Sequence, residues 1–308
     1  MQRLDGGASI PSHLADGIVA LGNFDGFHLG HQAVVARAIA WAKAEGRPAL
    51  VATFDPHPVR HFRPDTPAFR LTTLDQRERL FADAGADAMV VFHFDGDLAA
   101  LTAEQFVADR LERNLRIGGV VTGEDFTFGH AKSGTVHTLA ARGPVHGFRT
   151  ETVGAVALDG ETVSSTRIRE ALRAGDMATA TRLLTRPFAI EGVVQHGDKL
   201  GRTIGYPTAN IDMGKYLRPA YGIYAVTAQL DDGRVLKGAA NLGIRPSFDP
   251  PKELLEPHFF DFAEDLYGRR IEVSLIDYLR PEAKFDGLDA LITQMDADCA
   301  RARTILAR

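Results

Sequence analysis

The chain has 308 residues, 45% of them hydrophobic and 24% charged, an ordinary globular composition that at roughly 100–200 residues per domain predicts two packed domains rather than disorder. A net charge of −5 argues against a nucleic-acid-binding surface, yet leaves room for a local cationic pocket that holds a small phosphorylated ligand. The single cysteine, Cys299, excludes an internal disulfide and a cysteine metal cluster, and it fits a reducing compartment.

In chain order, the N-terminus lacks the basic segment and apolar stretch of a secretory signal. No later apolar run approaches the ~20 residues of a membrane helix, so a cytoplasmic protein is expected. Short apolar runs at 18–21 (IVAL), 49–53 (ALVAT), 88–92 (AMVVF) and 119–122 (GVVT) read as buried strands. Helical spacing separates them at 30–45, 74–84 and 102–115, and Thr102 with Gln105 forms a capping box for the last. Strand and helix alternating at this size predict a parallel sheet covered on both faces, with ligands beyond the carboxyl ends of its strands.

Two short helical patterns, 166–174 and 176–184, then lead to a change of character near Arg186 and Pro187. The runs 188–194, 222–230, 258–262 and 271–278 read as β, punctuated by Gly, Pro and Asp, and one final helix is expected over 287–306. Strands without intervening helices predict an antiparallel barrel closed by that helix. The expected fold is therefore α/β followed by β, with domains over 1–185 and 186–308.

Between the first strand and first helix lies GNFDGFHLGH (22–31). Gly22, Gly26 and Gly30 have no Cβ and let backbone approach a phosphate closely. The helix that follows turns its free N–H groups and partial positive charge to the same spot. His28 and His31, three residues apart, share a face on a first turn and can donate to phosphate oxygens as charge builds in an in-line displacement. A glycine turn alone is weak evidence, and a histidine pair also suits zinc, but no third ligand stands at a telling spacing. SSTRIR (164–169) starts a later helix; by itself it reads as an ordinary Ser/Thr cap with solvated arginines.

The C-terminal half opens with GDKLGRTIGYPTAN (197–210). Gly197, Gly201 and Gly205 interleave with Lys199 and Arg202, a backbone-and-cation arrangement suited to a polyphosphate, though not a Walker A sequence. Thr208 and Asn210, two apart on an extended segment, offer hard oxygen ligands to one side, as Mg²⁺ prefers. Without context a solvated glycine turn explains the stretch as well.

The HxGH loop with a later SSTxxR helix start resembles the nucleotidyltransferase superfamily that transfers AMP from ATP. Its nearest likeness is to the prokaryotic bifunctional riboflavin kinase/FAD synthetase family, and TFDPHP (53–58) and GEDFTFG (123–129) match that family too. In the second half GDKLGRTIGYPTAN, NLGIRPSF (241–248), LEPHFFDFAEDLYG (255–268) and RPEAKF (280–285) follow the order seen in riboflavin kinases, so the resemblance covers nearly the whole chain.

The resemblance implies a Rossmann-like nucleotidyltransferase domain followed by a riboflavin-kinase barrel. It implies that Gly22, Asn23, Phe24, Asp25, Gly26, Gly30, Ser165, Thr166 and Arg169 bind ATP, with His28, His31 and Arg169 catalytic. His57, Phe62, Asp125 and Phe126 would lie toward the flavin. In the second half Gly197, Lys199, Gly201, Arg202, Gly205 and Thr208 would bind ATP, Thr208 and Asn210 would coordinate Mg²⁺, and Arg280 and Phe285 would border the flavin. Glu256, otherwise a surface carboxylate near a turn, would be the general base. The expected small-molecule partners are riboflavin, FMN and ATP, with any self-association weak or transient. Three departures from the family pattern stand out: Ser247 replaces the common threonine, the interval 249–254 (DPPKEL) before Glu256 reads as a short proline-rich loop, and Pro257 follows the proposed base, where a missing donor suggests a strand edge or bulge. A dead kinase site, or an acceptor other than FMN at the HxGH half, are the rival readings.

Overall fold

The computed structural model describes residues 1–196, 205–245 and 252–307. The chain packs as two compact units, one of Met1–Pro67 with Thr73–Ser164 and one of Ala68–Thr72 with Ser165–Arg308. The two helices before Arg186 therefore pack with the second unit.

The first unit is built on a parallel sheet of β1 (Gln2–Asp5), β2 (Ile18–Leu21), β3 (Ala49–Asp55), β4 (Ala88–His93), β5 (Gly119–Gly123) and β8 (Arg149–Val153). Their spatial order is β1-β4-β3-β2-β5-β8, and two short pairs lie outside it, β6 (Thr127–Phe128) with β7 (Gly134–Thr135) and β9 (Ala157–Leu158) with β10 (Glu161–Thr162). Successive β2 residues enter opposite cores. Val19 and Leu21 join one with Leu50, Val90 and Val120, while Ile18 and Ala20 join the other with Trp41, Val51 and Met89. Burial on both faces is why these strands read as unbroken apolar runs rather than alternating ones. From β2 the chain builds β3 and β4 to one side, then crosses to β5 on the other. The reversal sets a crevice at the carboxyl ends of β2 and β5.

Helices α1 (Leu29–Glu45) and α3 (Leu74–Asp83) fall where the periodicity places them. The Thr102 capping box is present, with Gln105 N–H donating to Thr102 Oγ1 at 3.2 Å and Thr102 N–H to Gln105 Oε1 at 2.8 Å. The helix it starts differs from the expected one. Only Ala103–Gln105 is α-wound, and Phe106–Asn114 continues with the wider π winding. That winding keeps Val107, Leu111 and Leu115, four apart, on the buried side.

In the second unit α7 (Ser165–Arg173) and α8 (Met177–Leu184) precede an antiparallel sheet. Its strands are β11 (Phe188–Val193), β12 (Ile211–Asp212), β13 (Gly222–Gln229), β14 (Val235–Arg245), β15 (Lys252–Phe259) and β16 (Arg270–Arg280), in the order β11-β16-β13-β14-β15-β12. A bridge between Gln195 and Asn210 joins the two ends and nearly closes the barrel. Helix α9 (Leu288–Leu306) lays Ala302 and Leu306 on Ala225, Ala239 and Leu279, covering part of the barrel's outer face.

Of the edge or bulge expected at Pro257, the bulge is absent, because β14 and β15 stay in unbroken register from Gly238↔Phe259 to Arg245↔Lys252. The Pro257 carbonyl accepts from Ala209 N–H at 2.9 Å. The donor that proline lacks thus falls on the β12 side, where the ladder is only two residues long. Among the described residues no helix is long and apolar enough to cross a membrane.

The turn after β2 is tied down from behind. Thr53 Oγ1 donates to the Asn23 carbonyl at 2.8 Å, and buried Arg77 on α3 donates to the same carbonyl at 3.1 Å and to Thr53 Oγ1 at 2.8 Å. Hydrogen bonds from a charged group contribute about 1.5–3 kcal/mol, so Arg77→Met is expected to destabilise the first unit by about that much. Trp41, the sole tryptophan, sits in α1 and reports that unit. A urea transition of Trp41 fluorescence shifted by less than about 0.5 kcal/mol would show that the clamp does not hold the turn.

Candidate functional site

In the first unit the site grows out of the turn between β2 and α1. Phe24, Gly26 and Phe27 all have positive φ, at 48°, 88° and 44°. The two non-glycine residues tolerate this strain because their rings are locked into the core. Phe24 and Phe27 meet Phe81 edge-on at 5.9 and 5.1 Å. The Phe24 ring is therefore core, so that only its backbone is left for a ligand. The aromatic anchors pull the turn inward and leave its polar residues at the carboxyl edge of the sheet.

His28 is the N-cap of α1, its Nδ1 accepting from His31 N–H at 3.3 Å. An Nδ1 that accepts places the ring proton on Nε2, which makes Nε2–H a donor. The two imidazoles do more than share a face. They stack with centroids 3.6 Å apart and planes 18° from parallel, and Phe24 meets the His31 ring edge-on at 5.3 Å. Asp25 and His28 are each only 5% exposed. Asn23 Oδ1 is buried with no hydrogen-bond partner among the described residues. A Cβ on Gly30 would stand 3.2 Å from the His28 ring and 3.6 Å from the Val163 carbonyl. Glycine thus lets the backbone at Val163, in the same unit, run close beside the cap.

The neighbouring strands bring in the next group. β3 ends at Asp55, and the cis Asp55–Pro56 bond leads to His57, the cap of α2 (Pro58–Phe62), whose Nδ1 accepts from Val59 N–H at 3.2 Å. Phe62 is 65% exposed, unusual for so large an apolar ring. It packs against His61 and Phe94 at 5.1 and 5.9 Å. After β5, Asp125 is exposed, and Phe126 stacks on Phe128 at 5.8 Å. His57, the HxGH turn and Asp125 thus follow three adjacent parallel strands, β3, β2 and β5, at one edge.

Of the SSTRIR stretch, Ser164 closes the first unit and Ser165–Arg169 belong to the second. Ser165 begins α7, Thr166 is exposed, and Arg169 donates from Nε to the Phe69 carbonyl at 2.9 Å with its guanidinium over the Phe69 ring at 5.2 Å. Ile168 and Leu172 bury the opposite face of the helix.

On the barrel Gly197, Lys199, Gly201 and Arg202 lie outside the described residues, as does Ser247. Gly205, at φ 88°, turns the chain into Tyr206–Asn210. Ile211 pairs with Leu255, and continuing that register by one residue sets Asn210 opposite Glu256. On its other side Glu256 pairs with Asn241, Asn241 with Ile223, and Ile223 with Arg280. Cross-strand partners point to the same face. One lateral row on the outside of the barrel therefore reads Asn210, Glu256, Asn241, Ile223, Arg280. Leu255 and Leu242, one position along, are fully buried inside it.

Glu256 is ion-paired with Arg245, which stands two outer-face pairs along β14 and β15. Burial disfavours the Arg245 charge, but Glu256 and Glu282 outweigh it and hold the guanidinium above its ordinary pKa. At the end of the row Asp298 of α9 grips Arg280 at 2.6–3.0 Å, and Phe285 lies 5.7 Å from its guanidinium. Two nearby groups are excluded as bases. The hydrogen bond to Asp296, with burial, pushes the Tyr206 hydroxyl up to about 12, and burial pushes the Cys299 thiol up to about 11. Both stay protonated near neutrality. Thr208 and Asn210 supply neutral oxygens of the hard type that Mg²⁺ takes. His258, two residues beyond Glu256, shares a hydrogen bond with the Pro207 carbonyl at 2.9 Å and steadies that segment.

Sequence reasoning missed Arg77, Phe94, Asn241, Arg245 and Glu282. Of these only Asn241, Arg245 and Glu282 lay within stretches already singled out, NLGIRPSF and RPEAKF.

Comparison with known proteins is consistent across both units. The FAD synthetase family model matches residues 10–167 and the riboflavin kinase family model residues 184–306. Proteins described as bifunctional riboflavin kinase/FMN adenylyltransferase are similar over nearly the whole length. The one from Escherichia coli (strain K12) is 39% identical, covering 93% of this chain and 91% of the relative. That from Pseudomonas fluorescens is 40% identical over 94% and 93%, and that from Bacillus subtilis (strain 168) 36% over 94% and 93%. A crystal structure described as a macrolide-efflux protein from Streptococcus pneumoniae superposes with a TM-score of 0.86 at 31% identity, covering 97% of both chains. With both halves matched in order, the chain belongs to the bifunctional riboflavin kinase/FMN adenylyltransferase family.

Proposed function

We propose that this chain performs two successive steps of flavin-cofactor synthesis. The C-terminal half transfers the γ-phosphoryl of ATP to riboflavin, giving FMN and ADP. The N-terminal half joins FMN to the AMP of a second ATP, giving FAD and pyrophosphate. The observation that carries this reading is that each half matches its own family model and holds its own constellation, the HxGH turn in one and the Asn210–Glu256 row in the other. Since both steps consume ATP, the cytoplasm is the setting in which the chain would act.

In adenylyl transfer an FMN phosphate oxygen attacks the α-phosphorus of ATP as the bond to the β-phosphate oxygen breaks. Protein groups serve here by positioning and by stabilising charge on the phosphoryl oxygens. His28 is assigned that task through Nε2–H, helped by His31 and by the partial positive charge at the start of α1. Thr166 and Arg169 are assigned to the ATP phosphates. The exposed Phe62, with His57, Asp125 and Phe126, supplies apolar and polar surface for a flavin at the edge of the same sheet.

In phosphoryl transfer Glu256 takes the proton of the ribityl 5′-hydroxyl while that oxygen attacks the γ-phosphorus and ADP departs. Arg245 holds the carboxylate in place until then. Thr208 and Asn210 would hold Mg²⁺, whose role is to neutralise phosphate charge. Two neutral oxygens bind that ion weakly alone, so it would arrive with ATP.

Removing one donor to developing charge typically costs about 10²–10³-fold. His28→Ala should therefore lower FAD formation from FMN by about that factor while leaving riboflavin phosphorylation near wild type. Normal FAD synthesis by the variant would sink the assignment. Glu256→Gln should reduce FMN formation by about 10²–10⁴-fold and still convert supplied FMN to FAD. Accumulation of FMN at the wild-type rate would mean that another group is the base. Chelation with EDTA should stop both products and added Mg²⁺ restore them; product formation that continues in EDTA would remove the metal from the scheme. All three are read by chromatographic separation of riboflavin, FMN and FAD.

A further inference from the structure

On the outer face of β14, Asn241, Gly243 and Arg245 follow one another at the period of a strand. The Glu282 carboxylate sits over them. It accepts from Asn241 Nδ2 at 3.3 Å and from Arg245 Nη1 at 3.4 Å. A Cβ on Gly243 would stand 2.1 Å from Glu282 Oε1, so glycine leaves the room that the carboxylate occupies. Arg245 in turn is paired with Glu256. This network fixes which way the Asn241 amide faces. A carboxylate only accepts, so the amide nitrogen must turn to Glu282 and the oxygen away from it. That oxygen, Asn241 Oδ1, is buried and has no hydrogen-bond partner among the described residues.

An oriented acceptor without a donor, next to the proposed base, calls for a ligand donor. Its place in the row identifies the ligand. Asn210, assigned to the metal, lies on one side of Glu256, and Asn241 lies on the other, toward Arg280. Asn241 is thus on the acceptor-substrate side of the base and away from the polyphosphate. A polyol chain whose terminal hydroxyl meets Glu256 carries further hydroxyls at the spacing of a neighbouring side chain. We propose that Asn241 Oδ1 accepts a hydrogen bond from a ribityl hydroxyl other than the one phosphorylated, and so selects a polyol-bearing flavin. This rests on the kinase reading above.

The test measures kcat/KM for riboflavin and for three analogues, each lacking one non-reacting ribityl hydroxyl, with the full-length wild type and Asn241→Ala. One neutral hydrogen bond is worth about tenfold. Wild type should therefore use one of the three analogues about tenfold less well than riboflavin. Asn241→Ala should lose about tenfold on riboflavin, chiefly in KM for the flavin, yet match wild type on that one analogue. The KM for ATP should not move. An equal loss on all four flavins would overturn the proposal, because Asn241 would then act through the fold alone. Wild type using all three analogues as well as riboflavin would overturn it without any variant. If wild type phosphorylates no flavin at all, the kinase reading itself has failed, an outcome distinct from the other two.

Discussion

The antiparallel register between β14 and β15 is the constraint on which the barrel's chemistry depends. Because facing residues of paired strands share a side, sliding β15 by one residue would turn Glu256 into the barrel and Leu255 out to water. Leu255, Leu242 and Ile211 are wholly buried, and their apolar burial fixes the slide. Burying a leucine side chain contributes about 2 kcal/mol, and several in one layer outweigh any preference of the polar row. The outward position of Glu256, the proposed base, is thus set by residues buried inside the barrel. The parallel sheet follows the same logic. Phe24 and Phe27 sink into the core, and the residues between and after them have nowhere to go but the crevice at the strand ends.

The two halves solve the problem of holding phosphate differently. In the first unit a helix start, a capping histidine and backbone groups are gathered at a turn, where partial charges are preorganised and need no counter-ion. In the barrel the groups stand on strands, side by side across the sheet, and the assigned oxygens of Thr208 and Asn210 are neutral. The first arrangement suits charge that builds on phosphoryl oxygens. The second suits an acceptor hydroxyl that must lose a proton to a carboxylate while a nucleotide is held beside it.

How much of this was legible follows from what is local in sequence. Four strands of the first sheet, β2 to β5, its two long helices and the Thr102 capping box are patterns within one turn or one strand, and they appear where the sequence places them, whereas the two edge strands, β1 and β8, carry no unbroken apolar run and were not foreseen. The His28 cap was half legible: spacing put His28 and His31 on one face, but their stacking needed the ring of Phe24. β14 was hidden because Gly238, Ala239, Ala240 and Gly243 depress its β character, although these small residues are what let His258 and Glu282 approach. The Asn241–Glu282–Arg245–Glu256 network was beyond reach for a different reason. Its members are joined by register across three segments, and register is set by burial rather than by spacing along the chain. Arg77 was invisible for the same cause, being a helix residue whose partners lie on two other strand ends.

Pro257 carries a further consequence, concerning what the barrel refuses to bind. Among the described residues β12 covers β15 by only two ladder residues, and one bridge, Gln195 to Asn210, completes the ring, so the wall is thin at this seam. When such a seam parts, the uncovered flank of a strand is a template for a strand from another molecule. Here the flank has a gap at its middle. The proline has no N–H to give, and an intruding chain would leave a carbonyl unanswered beside the Glu256 carboxylate. The barrel can keep a lightly laced seam next to its working groups because that seam is a poor place for aggregation to start.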